Sequence, residues 1–184
     1  MSLIDFKDIN KSYLNKTFNL KINNDSRLIV KGANGSGKST LIKLLSGYIK
    51  HSKGTMNINI NKISYLEEII DLPLYSKVQT YLEVIAQIKK ASICYDFIRL
   101  VELDTEKKIY ELSKGNKQKL AIAVTLIGNN ELIILDEPLN GLDVKTANKV
   151  IKYLKNITTP IIIVTHQEKK FKFGELLELW LDLF

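Results

Sequence analysis

The stretch Arg27-Leu28-Ile29-Val30-Lys31-Gly32-Ala33-Asn34-Gly35-Ser36-Gly37-Lys38-Ser39-Thr40 decides the fold. Residues 27–30, Arg27 followed by three apolar residues, read as a strand that runs into a glycine-rich loop at residues 32–37. From Lys38 to Ile49, the residues Leu41, Leu44, Leu45 and Tyr48 recur at helical spacing. The loop satisfies G-x-x-x-x-G-K-[ST]. Its chemistry follows from charge and reach. A triphosphate carries several negative charges, and backbone N–H groups surround it only where the chain curls tightly, which glycine permits. The N-terminus of the following helix adds the positive end of its dipole. Lys38 is placed to reach the β- and γ-phosphates, and the Ser39 hydroxyl to ligate Mg²⁺. The motif alone leaves a hydrolase and a small-molecule kinase both open.

Outward from this loop, short apolar runs alternate with helical patterns. Residues 3–9, 17–22, 55–60 and 63–66 read as strands. Val78, Tyr81, Leu82, Ile85 and Ile88 mark one helix face, and Ile93, Phe97, Leu100 and Val101 a second. A third helix is expected from near Asn116 to Gly128. Residues 132–135 and 161–164 are buried strands, and between them Asp143 opens a helix with Ala147, Ile151 and Leu154 on one face. The tail alternates Leu177, Leu179, Leu181 and Leu183 with polar or aromatic residues and reads as a strand. Buried strands alternating with helices predict an α/β fold with a mostly parallel core sheet. No repeat, low-complexity tract or Pro/Gly-rich linker divides the 184 residues, so one domain, 1–184, is expected.

The run Leu132-Ile133-Ile134-Leu135-Asp136-Glu137 ends a hydrophobic strand in two carboxylates. Strand C-termini of a parallel α/β sheet open onto the ligand crevice. Adjacent strand residues point to opposite sides, so the two acids take different roles. Asp136 is expected to hold Mg²⁺ through its hydration shell, and Glu137 to face the γ-phosphate and polarise an attacking water. Pro138 ends the sheet pairing.

Composition narrows the classes. The net charge is +7, with 27 Lys+Arg against 20 Asp+Glu, but the lysines are scattered and only Arg27 and Arg99 are arginines. A solvated lysine-rich surface is the expected reading, and no nucleic-acid partner is expected. One cysteine, Cys94, forms no internal disulfide and fits a reducing cytoplasm. The first ten residues show no signal-peptide apolar region, and no apolar run approaches the ~18 residues that span a bilayer. Any membrane role therefore needs a partner.

Five short motifs together carry a family resemblance. Leu112-Ser113-Lys114-Gly115-Asn116 resembles the L-S-G-G-Q signature of ABC-type ATPases. It stands in order with the phosphate loop, the Asp-Glu strand, Asn140-Gly141-Leu142-Asp143 (similar to the D-loop) and Val164-Thr165-His166 (similar to the switch-histidine strand). The resemblance runs from about Tyr13 to His166. It implies a P-loop ABC ATPase fold with a trimmed antiparallel β-subdomain and a helical signature subdomain at about 69–128. It implies that Tyr13 stacks on adenine, and that Gly32, Ala33, Asn34, Gly35, Ser36, Gly37, Lys38, Ser39 and Thr40 cradle the phosphates of ATP and Mg²⁺. Ser113 and Gly115 would contact the γ-phosphate held by another subunit. Asp143 would communicate between sites, and His166 would act as a γ-phosphate switch. Catalysis would fall to Glu137, His166 and Lys38, and metal binding to Ser39, Glu68 and Asp136.

There are departures. Glu68 stands where the family's Q-loop has Gln, and an ionised carboxylate donates no hydrogen bond. Asn116 replaces the signature Gln, and Lys114 a Gly. The chain stops soon after the histidine strand. The implied function is the ATP-binding and ATP-hydrolysing subunit of an ABC transporter, of a short bacterial export type. Its partners would be a polytopic membrane permease and a second ATPase subunit. Its place would be cytoplasmic, peripheral on the cytoplasmic membrane face. The +7 charge keeps open a soluble ABC-type ATPase acting on nucleic acid, ribosome or cofactor assembly. A small-molecule kinase would leave residues 112–116 and 164–166 unexplained.

Overall fold

The computed structural model describes residues 2–12 and 17–179, with the side chain of Leu179 left aside. Tyr13, and Leu181 and Leu183 of the alternating tail, lie outside the described residues. Two sheets form. Strand β1 (Ile4–Asn10) lies between β2 (Thr17–Ile22) and β4 (Lys53–Ile58) in an antiparallel sheet. The second sheet has the order β5-β6-β7-β3-β8, from Ile63–Leu66, Leu132–Asp136, Ile161–Val164, Arg27–Gly32 and Glu175–Leu179. All four of its pairings are parallel. The expected α/β architecture is present, with an antiparallel sheet beside the parallel one.

Alternation along the parallel strands splits the apolar residues between two faces. Ile29, Ile133, Leu135, Ile161 and Ile163 pack in one core with helices α2 (Val78–Lys89), α3 (Tyr95–Leu100), α4 (Lys114–Leu126) and α5 (Val144–Asn156). Leu28, Val30, Ile134, Ile162 and Val164 pack in another, with the antiparallel sheet and α1 (Lys38–Leu45). The strands are thus covered on both sides, as their unbroken apolar runs required.

Some boundaries differ from the sequence reading. Helix α1 ends at Leu45, not Ile49, because Gly47 turns the chain at φ +71. Helix α4 starts at Lys114, two residues before Asn116, because Ser113 caps it. Strand β4 begins at Lys53 and runs through Gly54, whose φ is +94 and where a Cβ would stand 2.4 Å from the Asp8 carbonyl oxygen. Only glycine lets β4 pass the irregular pairing of β1 there.

Register aligns the strand ends. Val30 pairs with Val164, and Val164 with Asp136. Leu66 pairs with Leu135, one step before Glu67 and Glu68. The phosphate loop, Glu137, Thr165 and Glu68 therefore emerge side by side at one edge of the sheet.

Candidate nucleotide site

A cleft of about 460 Å³ opens at this edge. Asn34, Gly35, Gly37, Lys38, Ser39 and Thr40 line one side, and Glu68, Asp136, Glu137 and His166 the other. Residues from four separate segments of sequence meet there. Gly35 and Gly37 have φ +80 and +94, the left-handed backbone that the curled loop needs. Lys38 Nζ donates to the carbonyls of Gly32 at 2.6 Å and Ala33 at 2.9 Å. Ser36 is fully buried, and its Oγ has no hydrogen-bond partner.

Glu137 is pinned at the sheet edge. Its carboxylate accepts from the Thr165 hydroxyl at 3.0 Å and from the His166 main-chain N–H at 2.8 Å. Its own N–H donates to the Val164 carbonyl at 2.8 Å. Its φ is +46, unusual for a residue with a side chain. The His166 ring is well exposed toward the cleft, with Nε2 3.9 Å from Glu137 Oε1. Asp136 is half-buried. Burial first, and then the nearby charges of Glu68 and Glu137, push its carboxyl up to about 6. The Tyr65 hydroxyl lies 3.5 Å from Asp136 Oδ2.

The signature residues line a different surface. Ser113, Gly115 and Asp143 border a shallow depression of about 360 Å³ with Lys114, Asn116, Lys119, Gly141 and Leu142. Ser113 Oγ accepts from the Asn116 N–H and so caps α4. Asp143 caps α5, accepting from both the N–H and the hydroxyl of Thr146, and the hydroxyl bond is the main cause holding its carboxyl below the ordinary range. A Cβ on Gly115 would stand 2.6 Å from the Gly141 carbonyl oxygen, so α4 and the 140–143 loop meet only because Gly115 has no side chain.

Three contacts escaped the sequence reading. Thr165 stands in the motif without a role of its own, and its hydroxyl holds Glu137. Tyr65 reaches Asp136 from the neighbouring strand. Gln118 is buried and donates to the Glu137 carbonyl at 3.3 Å. Helical spacing carried a signal for the last, since Gln118 shares a face with Ala121 and Ile122, three and four residues on.

Mg²⁺ fits this donor set. A hydroxyl (Ser39) and two carboxylates (Asp136 and Glu68) line one cleft, the oxygen donors a hard cation takes, and Asp136 is raised first by burial and then by the like charges of Glu68 and Glu137.

Fold and cleft define an ATPase of the ABC type. The family model described as ABC transporter matches residues 15–140, and the chain belongs to that family. It is 37% identical over 152 residues to an uncharacterized ABC transporter ATP-binding protein of Methanocaldococcus jannaschii, covering 77% of this chain and 58% of that one. It is 30% identical over 181 residues to the zinc import ATP-binding protein ZnuC of Rickettsia conorii, covering 89% and 76%. It is 37% identical over 145 residues to the cytochrome c biogenesis ATP-binding export protein CcmA of Reclinomonas americana, covering 70% and 65%. In shape it is similar to the ATP-binding cassette MJ0796, solved as a dimer bound to ADP and Pi. The TM-score is 0.83 at 24% identity, covering 97% of this chain and 96% of that one. Among the described residues, no helix is long and apolar enough to cross a membrane.

Proposed function

We propose that this chain is the ATP-hydrolysing subunit of a transporter, working as one of two cassettes that enclose ATP against a separate membrane permease. One observation carries the reading. The phosphate loop, Glu68, Asp136, Glu137 and His166 share a cleft, while Ser113 and Gly115 face outward on another surface. A second cassette, placed head to tail, would bring its own Ser113 and Gly115 to this cleft.

In this scheme the loop N–H groups, Ser36 and Lys38 bind the phosphates of ATP, and Tyr13 stacks on the adenine. Ser39, Asp136 and Glu68 hold Mg²⁺, which when bound neutralises phosphate charge as a Lewis acid. Glu137 orients a water on the γ-phosphorus and accepts its hydrogen bond. The water oxygen bonds to the γ-phosphorus as the bond from the γ-phosphorus to the bridging oxygen breaks, and the water's proton passes through Glu137 to the released phosphate, leaving ADP and phosphate. Lys38, His166 and the partner's signature helix N-terminus stabilise the charge that shifts to the phosphate oxygens. Asp143, at the start of α5 beside the signature, links the two sites.

The permease is assigned to the exposed apolar face around Ile69, Leu74 and Tyr75, where the Tyr75 and Tyr110 rings meet tilted at 54°, centroids 6.1 Å apart. Export rests on the Leu112-Ser113-Lys114-Gly115-Asn116 form of the signature alone. Relatives named for import and for export stand on both sides, and the proposal is confined to transport. The test is Glu137→Gln. ATP binding should persist, turnover should fall by about 10²–10⁴-fold, and light scattering with Mg-ATP should show an accumulating dimer. A hydrolytically dead variant that never dimerises, alone or with its partner chain, rejects the two-cassette scheme.

A further inference from the structure

Glu137 is held in an uncomfortable backbone. Its φ of +46 is left-handed, without glycine to relieve it. Pro138 follows, and the residue before a proline is pushed toward extended backbone. Such a conformation persists only where neighbours enforce it. On the N-terminal side the enforcing bond is Glu137 N–H to the Val164 carbonyl, 2.8 Å. On the C-terminal side the Glu137 carbonyl accepts from two donors. One is the Asn140 N–H at 3.1 Å, which closes the turn into the 140–143 loop. The other is Gln118 Nε2 at 3.3 Å, from inside α4.

Gln118 stands out on its helix. It is only 5% exposed, between the lysines Lys117 and Lys119, and shares its helix face with the buried Ala121 and Ile122. A buried amide in such a core is costly unless it is bonded, and its bond goes to this one carbonyl. An apolar side chain would fill the same space at lower cost if packing were its only purpose.

We propose that Gln118 is a positioning residue for hydrolysis. Its amide fixes the Glu137 peptide, and so the aim of the Glu137 carboxylate, and joins that carboxylate to the helix that carries Ser113 and Gly115. The proposal rests on the reading of Glu137 as the group that orients water.

The test uses the full chain with Gln118→Met, which keeps the volume and removes the donor, and Gln118→Leu as a second apolar variant. Steady-state kcat and KM, ATP affinity and thermal melting are measured on each. Gln118→Met should lose about 10–100-fold in kcat, with ATP affinity within about twofold and melting unchanged. Added to Glu137→Gln, it should cost nothing further, because there is no carboxylate left to aim. Wild-type kcat in a folded variant overturns the proposal. So does a parallel loss of affinity and melting temperature, a full additive loss in the double variant, or failure of both variants to fold, each of which assigns Gln118 to structure. Wild-type turnover in Glu137→Gln alone is a separate result that removes the underlying reading of Glu137, and the proposal with it.

Discussion

Asp136 and Lys38 show what single residues settle. The Asp136 carboxyl is raised from 3.8 to about 6, by burial first and then by Glu68 and Glu137. Between those values the folded chain holds a proton that the unfolded chain has released. This group's favourable contribution to folding is therefore full below the unfolded value and lost as pH rises through about 6. A cation bound at Asp136 must displace the same proton. Half-maximal turnover should thus need about fourfold more Mg²⁺ at pH 5.5 than at pH 7.5, read from Mg²⁺ titrations of ATPase rate at both pH values. A flat result would remove Asp136 from the metal's ligands. Lys38→Ala should abolish most ATP binding and turnover with melting unchanged, since the loop backbone stays. Wild-type turnover in that folded variant would clear Lys38 of any role. The place of both residues on the cleft was legible in sequence because each sits in a contiguous motif. Thr165, Tyr65 and Gln118 were not, because their partners lie 28, 71 and 19 residues away.

At the scale of elements, three strands, Thr17–Ile22, Ile63–Leu66 and Ile161–Val164, match the sequence reading to the residue. Their edges are marked by polar or turn residues that stop an apolar run. Helix ends were less legible, because caps such as Ser113 act through a hydroxyl bond that periodicity does not register. The contact of α4 with the 140–143 loop gives the sharpest test. In Gly115→Ala the new Cβ meets the backbone oxygen of Gly141 at 2.6 Å, and one element must move. The variant should lose about 1–3 kcal/mol of stability, seen as lower melting, and turnover should fall because Ser113 shifts with the helix. An unaltered melt and rate would show that the two elements separate freely.

Across the whole molecule, buried strands alternating with helices announced a parallel α/β sheet, but not the order β5-β6-β7-β3-β8. That order depends on crossovers between distant segments, which local pattern does not encode. The proposed permease contact also belongs to this scale. Tyr75 is 85% exposed and Ile69 84%, close together in sequence beyond the strand end at Leu66. Tyr75→Asp should weaken co-purification with a polytopic membrane protein in detergent, while ATP affinity of the isolated chain stays near wild type. Equal recovery of such a protein with both forms would move the contact elsewhere. A native partner that proves soluble would end the transport reading and leave the ATPase standing.

The two bonds from Lys38 to the Gly32 and Ala33 carbonyls have a consequence for selectivity. The lysine's charge is already answered by its own loop, so an arriving anion gains only the difference between its attraction and theirs. A chloride, or a lone phosphate making a few contacts, competes poorly in that exchange. A polyphosphate chain that engages the loop along its length makes enough simultaneous contacts to win the ammonium away. If the loop binds phosphates as proposed, it works as a toll set by their number, and screens visitors before any chemistry begins.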